Sequence, residues 1–138
     1  MIAMGTQEIQ ISSKTENLTV VETLVDEVCE EFKINEDYYG NILIALTEAV
    51  TNAIQHGNKY DPEKNINLQF VPNQRQLVFT IKDQGPGFDF NNLPDPTEPE
   101  NIQKPHGRGI YLMKHLADNV EFSDNGRAVE LNFIISAT

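Results

Sequence analysis

Two stretches in the first half of the chain repeat their apolar residues at steps of three and four, which is the spacing of an amphipathic helix. The first stretch covers residues 15–32, and its apolar residues are Leu18, Val21, Val25, Val28 and Phe32. The second runs from about residue 37 to 55, and its apolar residues are Ile42, Leu46, Ala49, Val50 and Ala53. Each stretch therefore predicts a helix with one buried stripe, the second capped by the polar residues Asn35, Glu36 and Asp37 and ended by Gly57.

Five shorter segments alternate apolar and polar residues, which is the period of a strand with one buried face. They are residues 8–11, 65–71, 76–83, 120–122 and 129–135. Residues 72–75 predict a turn between the second and third strands, and the pair Asn125 and Gly126 predicts a hairpin between the last two. A third helix is predicted from Gly107 onward, and its apolar residues are Ile110, Leu112, Met113 and Leu116.

The helical stretches are grouped apart from the hairpins instead of alternating strictly with strands. This order predicts a single α+β domain over residues 1–138, a two-layer sandwich with the helices packed on one face of a mixed, mostly antiparallel sheet. Residues 1–6 are expected to form a flexible end. Residues 84–106 hold most of the prolines and show little periodicity, so they predict a long loop with residues 88–106 as a lid.

Composition and charge narrow the function classes. Hydrophobic residues make up 39% and charged residues 22%, as in ordinary globular proteins. The net charge of −11, without a basic stripe, argues against nucleic-acid binding; it fits a basic protein partner, or it serves only solubility. The single cysteine excludes an internal disulfide, and no apolar run approaches the roughly 20 residues of a membrane span. Because the N-terminus lacks a secretory signal, a cytoplasmic protein without membrane contact is expected.

Glu48, Asn52 and His56 form a polar stripe on the second predicted helix, at spacings of i, i+4 and i+8. A carboxylate and a carboxamide one turn apart suit a hydrated Mg²⁺, which prefers oxygen ligands and keeps several waters. The Asn52 carbonyl could ligate the ion directly, while Glu48 could hold a water or accept a proton. An exposed polar helix face is the alternative interpretation of this stripe.

Asp83, Gly85 and Gly87 belong to the segment Asp-Gln-Gly-Pro-Gly-Phe, directly after a predicted buried strand. Loops held at the end of a rigid strand commonly form ligand sites. An aspartate there can accept a hydrogen bond from an exocyclic amine, such as that of adenine, and the glycines permit close backbone approach. An ordinary turn built from Asp, Gly and Pro is the alternative.

Gly107, Arg108 and Gly109 form a glycine-rich loop that runs into the third predicted helix. Amides at a helix N-terminus bind phosphate well, because the helix dipole favours negative charge there. Arg108 and Lys104 add cations that could meet a terminal phosphate. A flexible hinge is the alternative for this segment alone. The order of the three polar segments, with a stretch of lid length between the last two, favours one nucleotide site.

These segments resemble the ATP-binding motifs of the superfamily of gyrase, mismatch-repair, heat-shock chaperone and histidine-kinase ATPases. The segment Glu-Ala-Val-Thr-Asn-Ala-Ile-Gln-His-Gly-Asn, which begins at Glu48, resembles the N box of that superfamily. The segments that begin at Asp83 and Gly107 resemble its two glycine boxes. Within the superfamily the chain is most similar to the small stand-alone anti-sigma factor serine/threonine kinases of bacteria. The resemblance implies a Bergerat-type ATP-binding fold.

The resemblance also implies roles for the matching residues. Asn52 would ligate Mg²⁺, and Asp83 would bind the adenine amine, with Gly87 shaping the base pocket. Gly107 and Gly109 would present backbone amides to the phosphates, and Glu48 would act as general base on a partner's serine hydroxyl. Family members act as homodimers that bind a sigma factor and phosphorylate an antagonist protein on serine. ATP and Mg²⁺ are therefore the expected cofactors.

Pro105 departs from the pattern, because some of these kinases carry an arginine two residues before the first glycine of the second box. Lys104 or Arg108 would then have to contact the γ-phosphate. Two other functions stay open: a non-catalytic ATP-gated protein-binding module, and a detached histidine-kinase ATP-binding domain. The latter suits the sequence less well, since such domains usually carry asparagine where Glu48 stands.

Overall fold

The computed structural model describes residues 5–73, 75–88 and 105–135, which form an α+β fold. The helices are α1 (Leu18–Glu31), α2 (Glu36–Asn52) and α3 (Pro105–Leu116). The strands are β1 (Gln7–Ser12), β2 (Asn65–Asn73), β3 (Gln76–Lys82), β4 (Asn119–Ser123) and β5 (Ala128–Ile134). The predicted fold class is confirmed.

The five strands form one sheet in the order β1-β2-β3-β5-β4. All four pairs of neighbouring strands are antiparallel, where a mixed, mostly antiparallel sheet was expected. The registers place apolar residues side by side on one face, as in the pairs Leu68–Ile81 and Phe79–Leu131. Alternate positions such as Gln69 lie on the opposite face, which explains the period of two in the sequence.

The core lies between the apolar face of the sheet and the helices. α2 occupies the middle of the helical layer and contacts both α1 and α3. Its side chains Ile42, Leu46 and Val50 are fully buried, and on the sheet the rings of Phe70 and Phe79 have centroids 5.0 Å apart. Burying one such side chain stabilises a fold by roughly 1.5–3 kcal/mol. This packing fixes the orientation of α2, and with it the direction of its polar residues.

The two ends of α2 differ in how well the sequence predicts them. Asn35, the first residue of the predicted capping segment, caps the beginning, since its Oδ1 accepts a hydrogen bond from the amide two residues on, at 2.8 Å. At the other end the α-helix stops at Asn52 and continues as a π-helical turn, Ala53–Gly57. In that turn the amide of Asn58 binds the carbonyl five residues back at 2.8 Å. The wider turn moves His56 off the strict i, i+8 position that α-helical spacing predicts.

Two of the differences from the predicted element boundaries occur at prolines. β2 runs to Asn73, which pairs with Gln76, so Pro72 lies in the strand and not in the turn. Pro72 lies beyond the last β2 residue that pairs with β1, where a missing amide hydrogen costs no bond to that strand. α3 begins at Pro105, two residues before the predicted start, because the fixed φ of proline suits the first turn of a helix.

Part of the predicted organisation lies outside the described residues. Of the predicted lid, residues 89–104 are not described, and Phe88 is the last described residue before them. Of the predicted flexible end, only Gly5 and Thr6 are described. Over the ranges that the structure describes, no helix is long and apolar enough to cross a membrane.

Cys29 lies in the buried stripe of α1. Burial, together with a smaller effect of the Asp26 carboxylate, raises the pKa of its thiol to about 11. The thiol is therefore protonated at neutral pH.

Candidate functional site

Glu48 and Asn52 lie one turn apart on α2 and face α3 across a very short gap. A Cβ built on Gly109 would be 2.9 Å from Glu48 Oε2 and 3.2 Å from both Oδ1 and Nδ2 of Asn52. Contacts this short exclude a larger residue unless the polar groups move. Glycine at this position therefore lets the backbone of α3 approach a carboxylate and a carboxamide.

The second glycine segment lies inside α3 and not in a loop before it, so this part of the prediction is wrong. The amides of His106 and Gly107 belong to the first turn, where amides have no partner within the helix. The amide of Gly109 lies four residues after Pro105, whose carbonyl is its α-helical partner. Gly107 is thus placed among the amide donors of the first turn, while Gly109 is placed at the contact with α2.

Asp83 follows β3 directly and is only 8% exposed. The amide of Gly85 donates a hydrogen bond to Asp83 Oδ1 at 2.8 Å, which fixes the direction of the carboxylate. A Cβ on Gly57 would clash with this carboxylate, and a Cβ on Gly85 would clash with the carbonyl of Gly57. These two glycines let the turn after β3 pack directly against the end of the π-helical turn.

The protonation equilibria of two groups are shifted by loss of hydration. Burial raises the pKa of Asp83, although the hydrogen bond from Gly85 and the nearby Arg127 guanidinium both act to lower it. Burial lowers the pKa of His56, which favours the neutral imidazole. When ionised, the Asp83 carboxylate is a strong acceptor for an N–H group of a ligand, because little water competes for it.

A pocket lies between α2, the π-helical turn, the turn after β3 and α3. Its empty volume, part of which is open to solvent, is about 490 Å³. Asn52, His56, Asp83 and Gly87 line it together with apolar side chains. The apolar lining includes Ile81, Ile110, Met113, Phe122 and Val129. Pockets with a mainly apolar lining and a few converging polar groups commonly hold small organic ligands. An apolar cleft with one buried acceptor suits a purine base that carries an exocyclic amine.

The remaining predicted site residues are Gly85, Gly87, Lys104 and Arg108, and only Gly87 lines the pocket among those that the structure describes. Gly87 lines the pocket with a φ of +82°, a value that favours glycine strongly, whereas Gly85 packs against the π-helical turn. Arg108 is exposed on α3, and Lys104 lies outside the described residues. The structure therefore brings Asn52, Asp83 and Gly87 into one pocket.

Two residues to which the sequence analysis gave no role, Asn58 and Arg127, hold the turn after β3. Asn58 is 1% exposed; its Oδ1 accepts a hydrogen bond from the amide of Gln84 at 2.7 Å, and its Nδ2 donates to the carbonyl of Asn65 at 3.0 Å. Arg127 Nε donates to the carbonyl of Gly85 at 2.8 Å. Asn58 ends the N-box segment and Arg127 follows the Asn-Gly hairpin pair, but neither position alone indicates these distant partners.

Comparison with models of protein families matches residues 11–133 to the histidine kinase-like ATPase domain. The matched range includes α2, the turn after β3, α3 and β5, each of which contributes residues to the lining of the pocket. The chain belongs to the histidine kinase-like ATPase domain family. The pocket is therefore the candidate ATP site of this ATPase domain.

The ATPase domain is also similar to curated proteins from several Bacillus species. These include the serine-protein kinases RsbW of Bacillus cereus (strain AH820), Bacillus anthracis and Bacillus thuringiensis (strain Al Hakam). With each of them it shares 31% identity over 129 residues, which cover 88% of this chain and 80% of the relative.

A solved structure has a similar fold. It is the crystal structure of the RsbU and RsbW domains of Rv1364c from Mycobacterium tuberculosis, with a TM-score of 0.66 and 13% sequence identity. The alignment covers 98% of this ATPase domain and 34% of that chain. At this identity the likeness shows a shared fold.

Proposed function

We propose that this protein is an ATP-dependent protein serine kinase that acts as an anti-sigma regulatory factor. It would bind a sigma factor and phosphorylate an antagonist protein on serine. The observation that carries the proposal is the placement of the Glu48 carboxylate next to Asn52, which lines the same pocket as the buried Asp83. The 31% identity with serine-protein kinases over 129 residues supports it.

Adenine recognition is assigned to Asp83. Its ionised carboxylate would accept a hydrogen bond from the exocyclic amine, while Ile110 and Met113 of α3 provide apolar contacts for the base. The orientation of the carboxylate is already set by the amide of Gly85. A preset acceptor lowers the entropy that is lost on binding.

The phosphates are assigned to the beginning of α3. The amide of Gly107 lies in the first turn of this helix, where the helix dipole favours an anion. Arg108 is exposed next to it and is the proposed cationic contact, with Lys104 as a second candidate outside the described residues. Gly109 is assigned to the close contact with α2 and not to phosphate binding.

The residues present fit a hydrated Mg²⁺. Asn52 Nδ2 is buried without a hydrogen-bond partner among the described residues, and a rotation of the carboxamide would present the oxygen there instead. In the same part of the chain no group of three or more His, Cys, Asp or Glu side chains could hold a metal. Mg²⁺ commonly takes one or two protein oxygens together with substrate phosphates and water, so Asn52 and the nucleotide would hold it. The bound ion would supply positive charge to the phosphate oxygens.

Glu48 is the proposed general base. Its carboxylate would accept the proton of a serine hydroxyl while the hydroxyl oxygen forms a bond to the γ-phosphorus of ATP. The bond from that phosphorus to the bridging oxygen breaks, and ADP leaves with the electron pair. Gly109 lets the backbone of α3 approach Glu48 Oε2 and the carboxamide of Asn52, and Asn52 lines the pocket.

The partners follow from the same assignment. We propose that the protein acts in the cytoplasm as a homodimer, with a sigma factor and its antagonist as partners. The identity with serine-protein kinases RsbW, which extends over 88% of the chain, supports this assignment.

Incubation with γ-labelled ATP, Mg²⁺ and candidate antagonist proteins tests the proposal. Phosphoserine is expected on one antagonist, and Glu48→Gln is expected to slow transfer by about 10²-fold or more while ATP affinity changes less than about threefold. Glu16→Gln, an exposed carboxylate before α1, is the matched control and keeps the wild-type rate. Equal, measurable transfer rates for wild type and Glu48→Gln would contradict the role of Glu48 as general base. ATP binding without any transfer would reduce the function to an ATP-gated binding module.

A further inference from the structure

The loop between β4 and β5 packs against the turn that follows β3. The amide of Asp83 donates a hydrogen bond to the carbonyl of Arg127 at 2.9 Å, and the amide of Phe88 donates to the carbonyl of Asn125 at 2.8 Å. A Cβ on Gly87 would clash with that same Asn125 carbonyl. The two segments are therefore joined backbone to backbone at both ends of the turn.

The side chain of Arg127 adds three hydrogen bonds to this contact. Nε donates to the carbonyl of Gly85 at 2.8 Å, and Nη2 donates to the carbonyl of Pro86 at 3.3 Å. Nη1 donates to the carbonyl of Asp124 at 3.3 Å. A planar guanidinium holds several acceptors in fixed directions, which a lysine ammonium does not. All three nitrogen atoms of the Arg127 guanidinium are thus bound within the protein.

Gly85 connects Arg127 with the base-recognition carboxylate. Its carbonyl accepts the bond from Arg127 Nε, and its amide donates to Asp83 Oδ1 at 2.8 Å. A change in the orientation of this peptide segment would therefore turn the Asp83 carboxylate as well. Arg127 acts on the carboxylate through the backbone of the turn.

Two other roles for Arg127 explain less of this geometry. Arg127 lines the pocket, but three of its five N–H groups donate to carbonyls of the protein, which sets the direction of the guanidinium without any phosphate. The ion pair with Asp124, at 3.6 Å and with a side chain of Asp124 that is 42% exposed, contributes little to stability by itself. The main contribution of the guanidinium is therefore its pair of hydrogen bonds to the carbonyls of Gly85 and Pro86 in the turn.

We propose that Arg127 is a positioning residue for base recognition: it holds the turn after β3 so that the Asp83 carboxylate meets the exocyclic amine of a 6-aminopurine. The inference rests on the proposed function, since it requires an adenine nucleotide in this pocket. Loss of Arg127 should then weaken the binding of ligands that carry the amine and leave the binding of ligands without it nearly unchanged.

Two nucleotides that differ only in this amine, ATP and purine riboside 5′-triphosphate, provide the test. Calorimetric titration with Mg²⁺ is expected to show that the wild type binds ATP about tenfold more tightly. Arg127→Met is expected to weaken ATP binding about tenfold and the analogue less than about twofold, so that the preference disappears. Arg75→Met, the same exchange at an exposed position at the opposite end of β3, is the matched control and keeps the preference.

A purely structural role of Arg127 predicts equal losses for the two nucleotides, and equal losses or an unchanged preference would overturn the inference. Circular dichroism on heating shows whether Arg127→Met is folded. If it is not folded, Arg127→Lys is expected to reduce the preference about threefold, because lysine keeps the charge but lacks the planar fork. A wild-type preference in Arg127→Lys would then overturn the inference. A wild-type protein that binds neither nucleotide contradicts the proposed function itself.

Discussion

The side chains of Asn58 and Ser13 meet through a hydrogen bond of 2.7 Å from Asn58 Nδ2 to Ser13 Oγ, although the residues are 45 positions apart. Both residues are 1% exposed. Ser13 Oγ also donates to the carbonyl of Lys64 at 2.8 Å, and Asn58 Oδ1 holds the amide of Gln84. A buried polar network therefore runs from the end of β1 to the turn that carries Asp83.

Asn58→Ala is expected to lower the free energy of unfolding by about 2–4 kcal/mol, because several buried polar groups lose their partners. Urea unfolding measures the change. Asn67→Ala is the matched control, since Asn67 Nδ2 donates to Glu8 Oε1 at 2.9 Å on the exposed face of the sheet. That variant should stay within about 0.5 kcal/mol of the wild type. Equal losses in the two variants would contradict a special role of the buried network.

Alanine is expected to stabilise the protein at Gly40 and to impair its function at Gly109. Gly40 lies in α2 with nothing within 4 Å of a built Cβ, so alanine should stabilise the helix by roughly 0.5–1 kcal/mol. At Gly109 the new methyl group would displace Glu48 Oε2 and the Asn52 carboxamide, and ATP binding or transfer should fall by about tenfold or more. Thermal unfolding and ATP titration of both variants test this. Wild-type affinity and transfer rate in Gly109→Ala would show that the close contact has no functional role.

Asp83→Asn is expected to weaken ATP binding by about tenfold or more, since a carboxamide NH₂ would oppose the amine of adenine. The same substitution should increase the free energy of unfolding at neutral pH. Burial raises the pKa of Asp83 above its ordinary value of 3.8, so the ionised carboxylate destabilises the folded state at neutral pH. This destabilisation is lost as the pH falls through the raised pKa, and it is absent below the ordinary pKa.

Urea unfolding of wild type and Asp83→Asn at a series of pH values measures the difference between their free energies of unfolding. The introduced carboxamide carries no charge to be desolvated, and its oxygen can still accept the hydrogen bond from Gly85, so the variant should be the more stable protein at pH 7. The difference should shrink on acidification. A variant that is less stable at pH 7 would contradict this account of the buried carboxylate.

Asn52→Ala is expected to remove the dependence of ATP affinity on Mg²⁺. In the wild type, replacing Mg²⁺ with EDTA should weaken ATP binding by about tenfold or more, and in the variant the two conditions should agree. Adenosine, which has no phosphate for the ion to bridge, is the control ligand and should bind both proteins equally. An undiminished effect of Mg²⁺ in Asn52→Ala would exclude this residue as the ligand.

The sequence predicted those features that repeat along the chain. The strands fall within two residues of their predicted ends, and the stripe of Ile42, Leu46 and Val50 is buried, because periods of two and of three to four record which face meets the core. The polar positions Asn52 and Asp83 also lie on one pocket, as their motifs indicated. Their roles with nucleotide stay predictions.

Features that depend on contacts between distant segments were not visible in the sequence. The bond from Arg127 to Gly85 spans 42 positions, and the bond from Gln84 to Asn58 spans 26. No local period records such pairs, since they form only when the turn after β3 packs between α2 and the β4–β5 loop. The π-helical turn after Asn52 is closed by the hydrogen bond from the amide of Asn58 to the carbonyl of Ala53, and no period in the sequence indicates it either.

The high pKa and burial of Cys29 have a practical consequence. With a thiol pKa raised to about 11, only a very small fraction of the molecules carries the reactive thiolate at pH 7. Maleimide reagents should therefore modify the folded native protein very slowly. A fluorophore can be attached to a cysteine introduced at an exposed position, for instance at Arg75, without first replacing the natural one.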